Sequence, residues 1–170
     1  MQSPATIASK LIAVATAAIT GGAIATSALG MPTASATPQD DLWTLINDQH
    51  VGAGCAQYGG SPALMDTAVD IAKDLANNGR RIVPPTDQML GNRGYWPSSL
   101  GEMDYFDPDT AVDLPRPLQF WLNSPTRDLF PNCGMQQLAT AVWIVGNKYA
   151  AVAVMGTPGP APADQPSHIG

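Results

Sequence analysis

Histidine is scarce in this chain of 170 residues, which contains only two, His50 and His168. Zinc sites need three or four nitrogen or sulfur ligands, and Ser-His or Cys-His nucleophilic pairs need an imidazole beside the nucleophile. The Gly-x-Ser-x-Gly segment of a nucleophile elbow is also absent. The sequence therefore argues against a zinc site and against nucleophilic catalysis. We expect His50, near the end of the first helix, to cap helix carbonyls.

Basic residues are also few, with 8 Lys and Arg against 14 Asp and Glu and a formal net charge of −6. A chain with this charge does not attract phosphate groups of a nucleic acid or the surface of an anionic membrane. The composition therefore excludes nucleic acid as a partner.

Charged residues are nearly missing from residues 1–36, where Lys10 is the only one. An Ala-, Ile- and Val-rich run covers residues 11–29, and the small residues 34–36 fit the cleavage site of a secretory signal. We expect residues 1–36 to be a signal peptide of a secreted, extracellular or cell-envelope protein with no membrane span after cleavage. A retained membrane anchor is the alternative, but Ala, Thr and Gly contribute little insertion energy.

The rest of the chain is long enough for one domain with a sizeable core. We expect a spacer over residues 37–40, a domain over 41–156 and a tail over 157–170. The tail is rich in Pro and Ala, so it cannot bury enough apolar surface to become ordered. The chain has two cysteines, Cys55 and Cys133. In an exported protein these are expected to form a disulfide, with two free thiols as the alternative.

Apolar periodicity and capping signals predict three main helices. The first is expected to follow a cap at Asp40 or Asp41. The second begins at the Ser61-Pro62 pair and stops at Gly79, which suits the left-handed position after a helix. The third carries Phe120 and Trp121, both expected in the core, and stops before Pro125.

A β-hairpin is predicted at the end of the domain, because two Val- and Ala-rich runs, 139–145 and 149–155, flank a Gly-Asn pair. The low charge of both runs indicates strands buried on both faces. Residues 80–100 are predicted to be mostly loop, with a possible helical turn near 86–90. The acidic segment 102–113 is interpreted as a solvated loop, with a calcium site as the alternative.

Several short motifs occur in an order that resembles the CAP superfamily, the cysteine-rich secretory or SCP-like extracellular proteins, in a divergent form of the bacterial secreted type. Leu100-Gly101-Glu102 is similar to the family's Gly-Glu-Asn motif, with Met103 in place of asparagine. The other landmarks are Gly54-Cys55, the long second helix, Gly94-Tyr95, Trp121-x-x-Ser124-Pro125, Cys133 and the hairpin.

The resemblance implies an α+β fold, a three-layer α/β/α sandwich around a small antiparallel sheet. It also implies a central cleft, in which two histidines and two acids of the family can bind a metal. This chain keeps Glu102 from that set. The first histidine is missing from residues 80–95, and the second is replaced by Thr126-Arg127. We therefore expect no metal, no cofactor and no catalysis.

The resulting hypothesis is an exported domain that binds a small apolar, lipid-like ligand or a cell-envelope partner in the cleft. The residues expected to bind are Tyr95, Trp96, Glu102 and Arg127. Tyr95 and Trp96 are included because aromatic loop residues in a groove bind apolar or ring-shaped ligands. One alternative is a divergent hydrolase with Glu102 and either Asp104 or Asp128 as acid and base. Another is a passive surface protein without a ligand.

Overall fold

The computed structural model describes residues 37–109 and 111–163. The predicted signal peptide and the end of the predicted tail lie outside these residues. Three helices come first: α1 (Pro38–Gly52), α2 (Pro62–Asn78) and α3 (Thr86–Gly91). They are followed by strand β1 (Pro97–Asp107), helix α4 (Pro115–Leu122) and a 3₁₀ helix (Pro125–Leu129). The last two described elements are strands β2 (Gln137–Val145) and β3 (Lys148–Pro158). Within the described part of the chain, no helix has the length and apolarity needed to cross a membrane.

The three strands form one antiparallel sheet in the order β1-β3-β2. The predicted hairpin is β2 and β3, and Gly146 at its turn has a φ of 65°. Strand β3 is central and buried from Tyr149 to Gly156. The expectation of full burial is wrong for the end of β2, because this strand lies at the sheet edge. The exposed residues there are Trp143, Ile144 and Val145.

Helices cover both faces of the sheet and form two hydrophobic cores. On the first face, α1 and α4 pack through residues such as Leu42, Ile46 and Trp121. On the second face, α2 and α3 pack through residues such as Ile71 and Leu90. Successive side chains of a strand point to opposite faces, so the sheet contributes to both cores. This arrangement confirms the expected α+β class, with helices layered on either side of a small antiparallel sheet.

Helix α2 has the boundaries that its capping residues predict. The Ser61 hydroxyl accepts a hydrogen bond from the Leu64 N–H, and Pro62 is the first helical residue. Gly79 ends the helix with a φ of 66° and donates its N–H to the Leu75 carbonyl at 2.8 Å.

Helix α1 begins earlier than expected, and the prediction of a cap at Asp40 or Asp41 is wrong. Thr37 is the N-cap, and its hydroxyl accepts from the Asp40 N–H while the Asp40 carboxylate accepts from the Thr37 N–H. This reciprocal capping box satisfies two backbone donors at once, which a cap at either aspartate would not do. At the other end of the domain, β3 continues through Pro158, two residues past Gly156, because it pairs with the start of β1.

The interpretation of residues 102–113 as a solvated loop is wrong for its first half, which belongs to β1. Residues Leu100 and Phe106 pack against the second core, and Met103 lies in the first. This alternation is the signature of a strand, and the acidic side chains concealed it. Glu102 pairs with Val154 of the central strand.

The two predictions for the aromatics of α4 have different outcomes. Trp121 is buried, as expected, and its indole N–H donates to the Asp104 carbonyl at 3.1 Å. Phe120 is 55% exposed and meets the Tyr105 ring edge-on, so its expected place in the core is wrong. A helix of eight residues buries a single narrow stripe, and Phe120 lies beside that stripe.

The predicted disulfide between Cys55 and Cys133 is confirmed. The two Cα atoms are 5.0 Å apart, and the bond joins the segment after α1 to the segment before β2.

Candidate functional site

Four polar side chains from three segments meet beside the second face of β1, and we call them the Glu102 cluster: Arg81, Thr86, Glu102 and Asp104. Glu102 and Asp104 are two residues apart on one strand, so they share a face. Arg81 comes from the loop after α2, and Thr86 is the first residue of α3. The cluster therefore depends on β1, which places the two acids, and on the α2–α3 connection, which supplies the donors.

Both carboxylate oxygens of Glu102 are engaged by donors. The Arg81 guanidinium pairs with Oε1, and the Thr86 hydroxyl donates to Oε2. Arg81 also donates to the Thr86 hydroxyl at 2.7 Å and to the Pro84 carbonyl at 3.0 Å. One guanidinium thus fixes the loop, the start of α3 and the carboxylate to one another.

Asp104 is the less satisfied acid of the cluster. Its Oδ2 is 3.9 Å from Arg81 Nη1, and its Oδ1 is buried without a hydrogen-bond partner among the described residues. Burial, together with the charge of Glu102 and a hydrogen bond to it, raises the pKa of Asp104 to about 7, although Arg81 acts in the opposite direction. Near neutral pH this carboxyl therefore exchanges a proton beside a second carboxylate.

The predicted binding residues Tyr95 and Trp96 lie just after α3 and are half-buried. The Tyr95 ring packs against the second core, and its hydroxyl donates to Gln137 Oε1 at 2.9 Å. Burial raises the pKa of the Tyr95 phenol. The Trp96 indole lies beside Gly91 and Gly94. Tyr95 is thus held within the fold, whereas Trp96 sits against a surface turn.

Arg127, the fourth predicted binding residue, lies elsewhere. Its side chain is 68% exposed on the 3₁₀ helix and is 3.6 Å from the carboxylate of Asp128, which is 86% exposed. Leu129 of the same helix packs on Gly101 and belongs to the first core, whereas Glu102 points to the second face. The structure therefore brings Glu102 together with Asp104, and does not bring it together with Arg127 or Asp128.

His50 is buried in α1 and does not cap its own helix, so that prediction is wrong. Its Nδ1 is 2.8 Å from the Phe130 carbonyl, and its ring stacks on Tyr58 at 3.9 Å between centroids. A buried imidazole needs a hydrogen-bond partner, and the carbonyl supplies it. Tyr58 and Phe130 belong to the first core, so His50 and Glu102 lie on different faces of the sheet.

Across residues 37–109 and 111–163, no three His, Cys, Asp or Glu side chains are grouped in a way that could hold a metal ion. Arg81 occupies the loop in which the resemblance expects the first histidine of the metal set. A guanidinium stays protonated and has no lone pair to offer a metal. In this chain the partner of Glu102 in that loop is therefore a fixed positive charge.

The sequence did not point to Arg81 or Thr86, and it offered Asp104 only as a partner in a hydrolase or as part of an acidic segment that could hold calcium. The alternation of apolar and acidic residues from Leu100 to Phe106 was the signal that could have placed Glu102 and Asp104 on one face of a strand. For Arg81 there was no such signal, because a loop arginine carries no periodicity.

Several solved structures resemble this one. They include an extracellular protein with an SCP domain from Bacillus anthracis, at a TM-score of 0.56 and 17% identity, and a cysteine-rich secretory protein from Staphylococcus aureus, at 0.56 and 12%. Each match covers 71% of this chain but only 40% and 38% of those two proteins. An outer surface protein from Borrelia burgdorferi matches at 0.50 and 17% identity, over 70% of this chain and 91% of its own.

No family model matches the chain, and no curated protein matches it. The similarity to these solved structures is therefore one of backbone fold, with two helical layers around a three-stranded antiparallel sheet. The three solved structures named above are described as extracellular, secretory or outer surface proteins. The chain has the fold of the SCP-domain proteins, which is the CAP fold that the sequence motifs led us to expect.

Proposed function

We propose that this chain is a divergent, exported CAP-type domain that acts by binding a small apolar, lipid-like ligand or a cell-envelope partner, and not by catalysis. The observation that carries the proposal is the engagement of both Glu102 oxygens by Arg81 and Thr86. A carboxylate held in this way is poorly placed to ligate a metal or to accept a proton from a substrate. The extracellular and outer surface descriptions of the structural neighbours support export.

Within this proposal, Trp96 and Arg127 serve different contacts. Trp96 suits an apolar ligand, because its indole is half-exposed and lies beside Gly91 and Gly94, which carry no side chain to cover it. Arg127 suits a polar envelope partner, because it is exposed and lines an open cavity of about 400 Å³ with Ser124 and Asp128. Tyr95, whose hydroxyl donates to Gln137, would hold the segment of Trp96 in place, and Glu102 would hold the start of α3 in place through Arg81 and Thr86.

One observation favours the hydrolase alternative, which is the Asp104 carboxyl. A pKa of about 7 is well matched to acid or base catalysis at neutral pH, and its buried Oδ1 has no partner among the described residues. In this alternative, Asp104 exchanges the proton and Glu102 modulates it. Asp128 has no part in it, because it is exposed beside Arg127.

Ligand titrations separate the two functions. The purified protein is titrated with a lysophospholipid and with a solubilised envelope fraction while tryptophan fluorescence is recorded, and it is assayed on a panel of ester, peptide and glycoside substrates. Binding predicts a saturable change that survives Glu102→Gln, weakens in Trp96→Ala and is retained in the control Trp143→Phe.

Turnover that is lost in both Glu102→Gln and Asp104→Asn would instead establish the hydrolase. If neither ligand produces a saturable change and no substrate is turned over, the binding proposal is wrong and the passive surface protein is the better description.

A further inference from the structure

A separate groove lies between α2 and the segment that leads into and out of α3. Its cavity has a volume of about 480 Å³, within the range of small-molecule sites. None of the four residues of the Glu102 cluster lines it, and neither do Tyr95, Trp96 and Arg127. We call it the α2–α3 groove, and its walls carry three kinds of side chain: charged, amide and apolar.

The charged residues of the groove cancel one another. Asp70 and Asp74 face Lys73 and Arg93, which gives no net charge. Arg93 pairs with Asp70 at 2.5 Å, and the Lys73 ammonium lies 4.7 Å from the centre of the Trp143 ring. An ionic ligand would have to compete with these partners, so the groove favours a neutral one.

Three asparagines add donors and acceptors to the walls: Asn77, Asn78 and Asn92. The Asn77 amide donates to the Lys73 carbonyl at 2.7 Å, which leaves its oxygen and its second N–H directed away from that bond. Amide groups placed beside charged ones would be stripped of water by an apolar ligand without compensation, at a cost in binding free energy. The walls therefore suit a ligand with many hydroxyl or amide groups.

An apolar strip completes the groove, formed by Val83, Pro84 and Met89. A sugar ring presents C–H groups on one side and hydroxyls around its rim. Such a ring can lie on this strip while its hydroxyls reach the amides and the paired charges.

The groove is also held in shape before any ligand arrives. Arg93 joins the end of α3 to α2 through Asp70 and donates to the Met89 carbonyl at 3.0 Å. Asp74 accepts from the backbone N–H groups of Ile82 at 2.5 Å and Val83 at 3.0 Å, so it fixes the opposite wall. Walls fixed in this way reduce the ordering cost of binding.

We infer that the α2–α3 groove binds a neutral, polyhydroxylated ligand, a short saccharide. The inference adds a second site to the proposed function and does not rest on it, since the groove and the Glu102 cluster share no residue. A soluble oligosaccharide and the glycan of a cell envelope present the same chemistry.

Calorimetric titration of the purified protein with chitotriose and with maltotriose tests the inference, and Asn77→Ala and Asn123→Ala form a matched pair. Both asparagines are exposed at the end of a helix and donate to the carbonyl four residues earlier, at 2.7 and 2.8 Å. Asn77 lines the groove, whereas Asn123 lines the separate cavity beside Arg127, so saccharide binding in that cavity would be recognised by a loss in Asn123→Ala. We expect saturable binding of at least one trisaccharide, weakened about three- to tenfold by Asn77→Ala and unchanged by Asn123→Ala.

A pull-down of isolated envelope glycan with the same two variants then distinguishes an envelope glycan from a soluble saccharide. Retention of the glycan that depends on Asn77 indicates the envelope glycan as the ligand. No retention, with trisaccharide binding intact, indicates a soluble saccharide. The inference fails if neither trisaccharide binds, or if Asn123→Ala weakens binding and Asn77→Ala does not. It also fails if decanoate or inorganic phosphate binds with the Asn77 dependence and the trisaccharides do not. The lysophospholipid titration of the proposed function is a separate measurement, so its failure does not decide the saccharide result.

Discussion

Arg81 is the residue that compensates the two acids of β1. Replacing it with methionine keeps much of the side-chain length but leaves Glu102 and Asp104 facing each other without a cation. Because the pair is largely shielded from water, we expect Arg81→Met to lower the free energy of unfolding by about 1–3 kcal/mol at pH 7.5. Urea denaturation followed by circular dichroism measures this change.

The matched control is Arg127→Met, which removes an arginine from an exposed pair with Asp128. Exposed ion pairs contribute little, so we expect a change of at most about 0.5 kcal/mol. Equal effects of the two substitutions would show that the Arg81 pair has no special role in the fold.

Asp104 gives the protein a defined pH dependence. Its pKa in the folded state is about 7, above the value of roughly 3.9 in an unfolded chain, so folding favours the protonated carboxyl. This contribution to stability is complete below about pH 4 and is lost as the pH rises through about 7. An amide imitates the neutral form, so Asp104→Asn should be more stable than the wild type at pH 7.5 and similar to it at pH 4.5.

The urea midpoint of both proteins at the two pH values tests this difference. The variant is compared with the wild type because Asp40 and Asp74 have pKa values below the ordinary range. In both proteins these two residues make stability rise with pH, which is opposite to the effect of Asp104. The same pH slope in Asp104→Asn and in the wild type would contradict the assignment.

At the scale of single elements, Gly79 shows how α2 ends. Its φ of 66° is in the left-handed region, while a Cβ there would meet the Phe106 ring at an ordinary 3.6 Å. The backbone conformation and not lack of space therefore requires glycine. We expect Gly79→Ala to lower the free energy of unfolding by about 1 kcal/mol.

Gly52, at the end of α1, is the control for this substitution. Its φ is not positive and an added Cβ would have no atom within 4 Å, so Gly52→Ala should be neutral or stabilising by up to about 1 kcal/mol. Thermal unfolding of the two variants compares them, and a loss of stability in Gly52→Ala as large as that in Gly79→Ala would contradict the argument.

Local signals explain which elements were predictable. The Ser61 cap, Gly79 and the turn at Gly146 act within a few residues, so α2 and the hairpin follow from the sequence. Strand β1 does not follow from the sequence, because its acidic side chains indicate an exposed segment. Only the folded structure shows that Arg81 and the α2–α3 connection cover them. The position of Phe120 likewise depends on how α4 rotates on the sheet.

The candidate site was predictable only in part. Glu102 was singled out through the Leu100-Gly101-Glu102 motif, but its partners are set by a loop that meets β1 in three dimensions. Arg127 is close to Ser124-Pro125 in sequence, and yet its 3₁₀ helix packs on the first face of the sheet through Leu129, away from Glu102. The order of the motifs along the chain therefore predicted the fold, but it did not predict which side chains surround Glu102.

At the scale of the whole molecule, the disulfide closes a long loop across the domain. The two cysteines are 78 residues apart, so replacing both with serine should lower the free energy of unfolding by up to about 4–5 kcal/mol. Urea denaturation with and without a reducing agent measures it. Reduction should destabilise the wild type and leave the double serine variant unchanged, and an unchanged wild type would contradict the prediction.

The position of β3 in the middle of the sheet has a consequence for the order of events during synthesis. Strands β1 and β2 leave the ribosome first, but their common neighbour is the last element to emerge. Both hydrophobic cores include residues of β3, so neither core can form completely before β3 has been synthesised. We therefore expect that a chain without β3 does not form a stable part of the domain. Folding of this domain is therefore expected to be a single late event that follows the synthesis of β3, and not a stepwise process that begins while the chain is still growing.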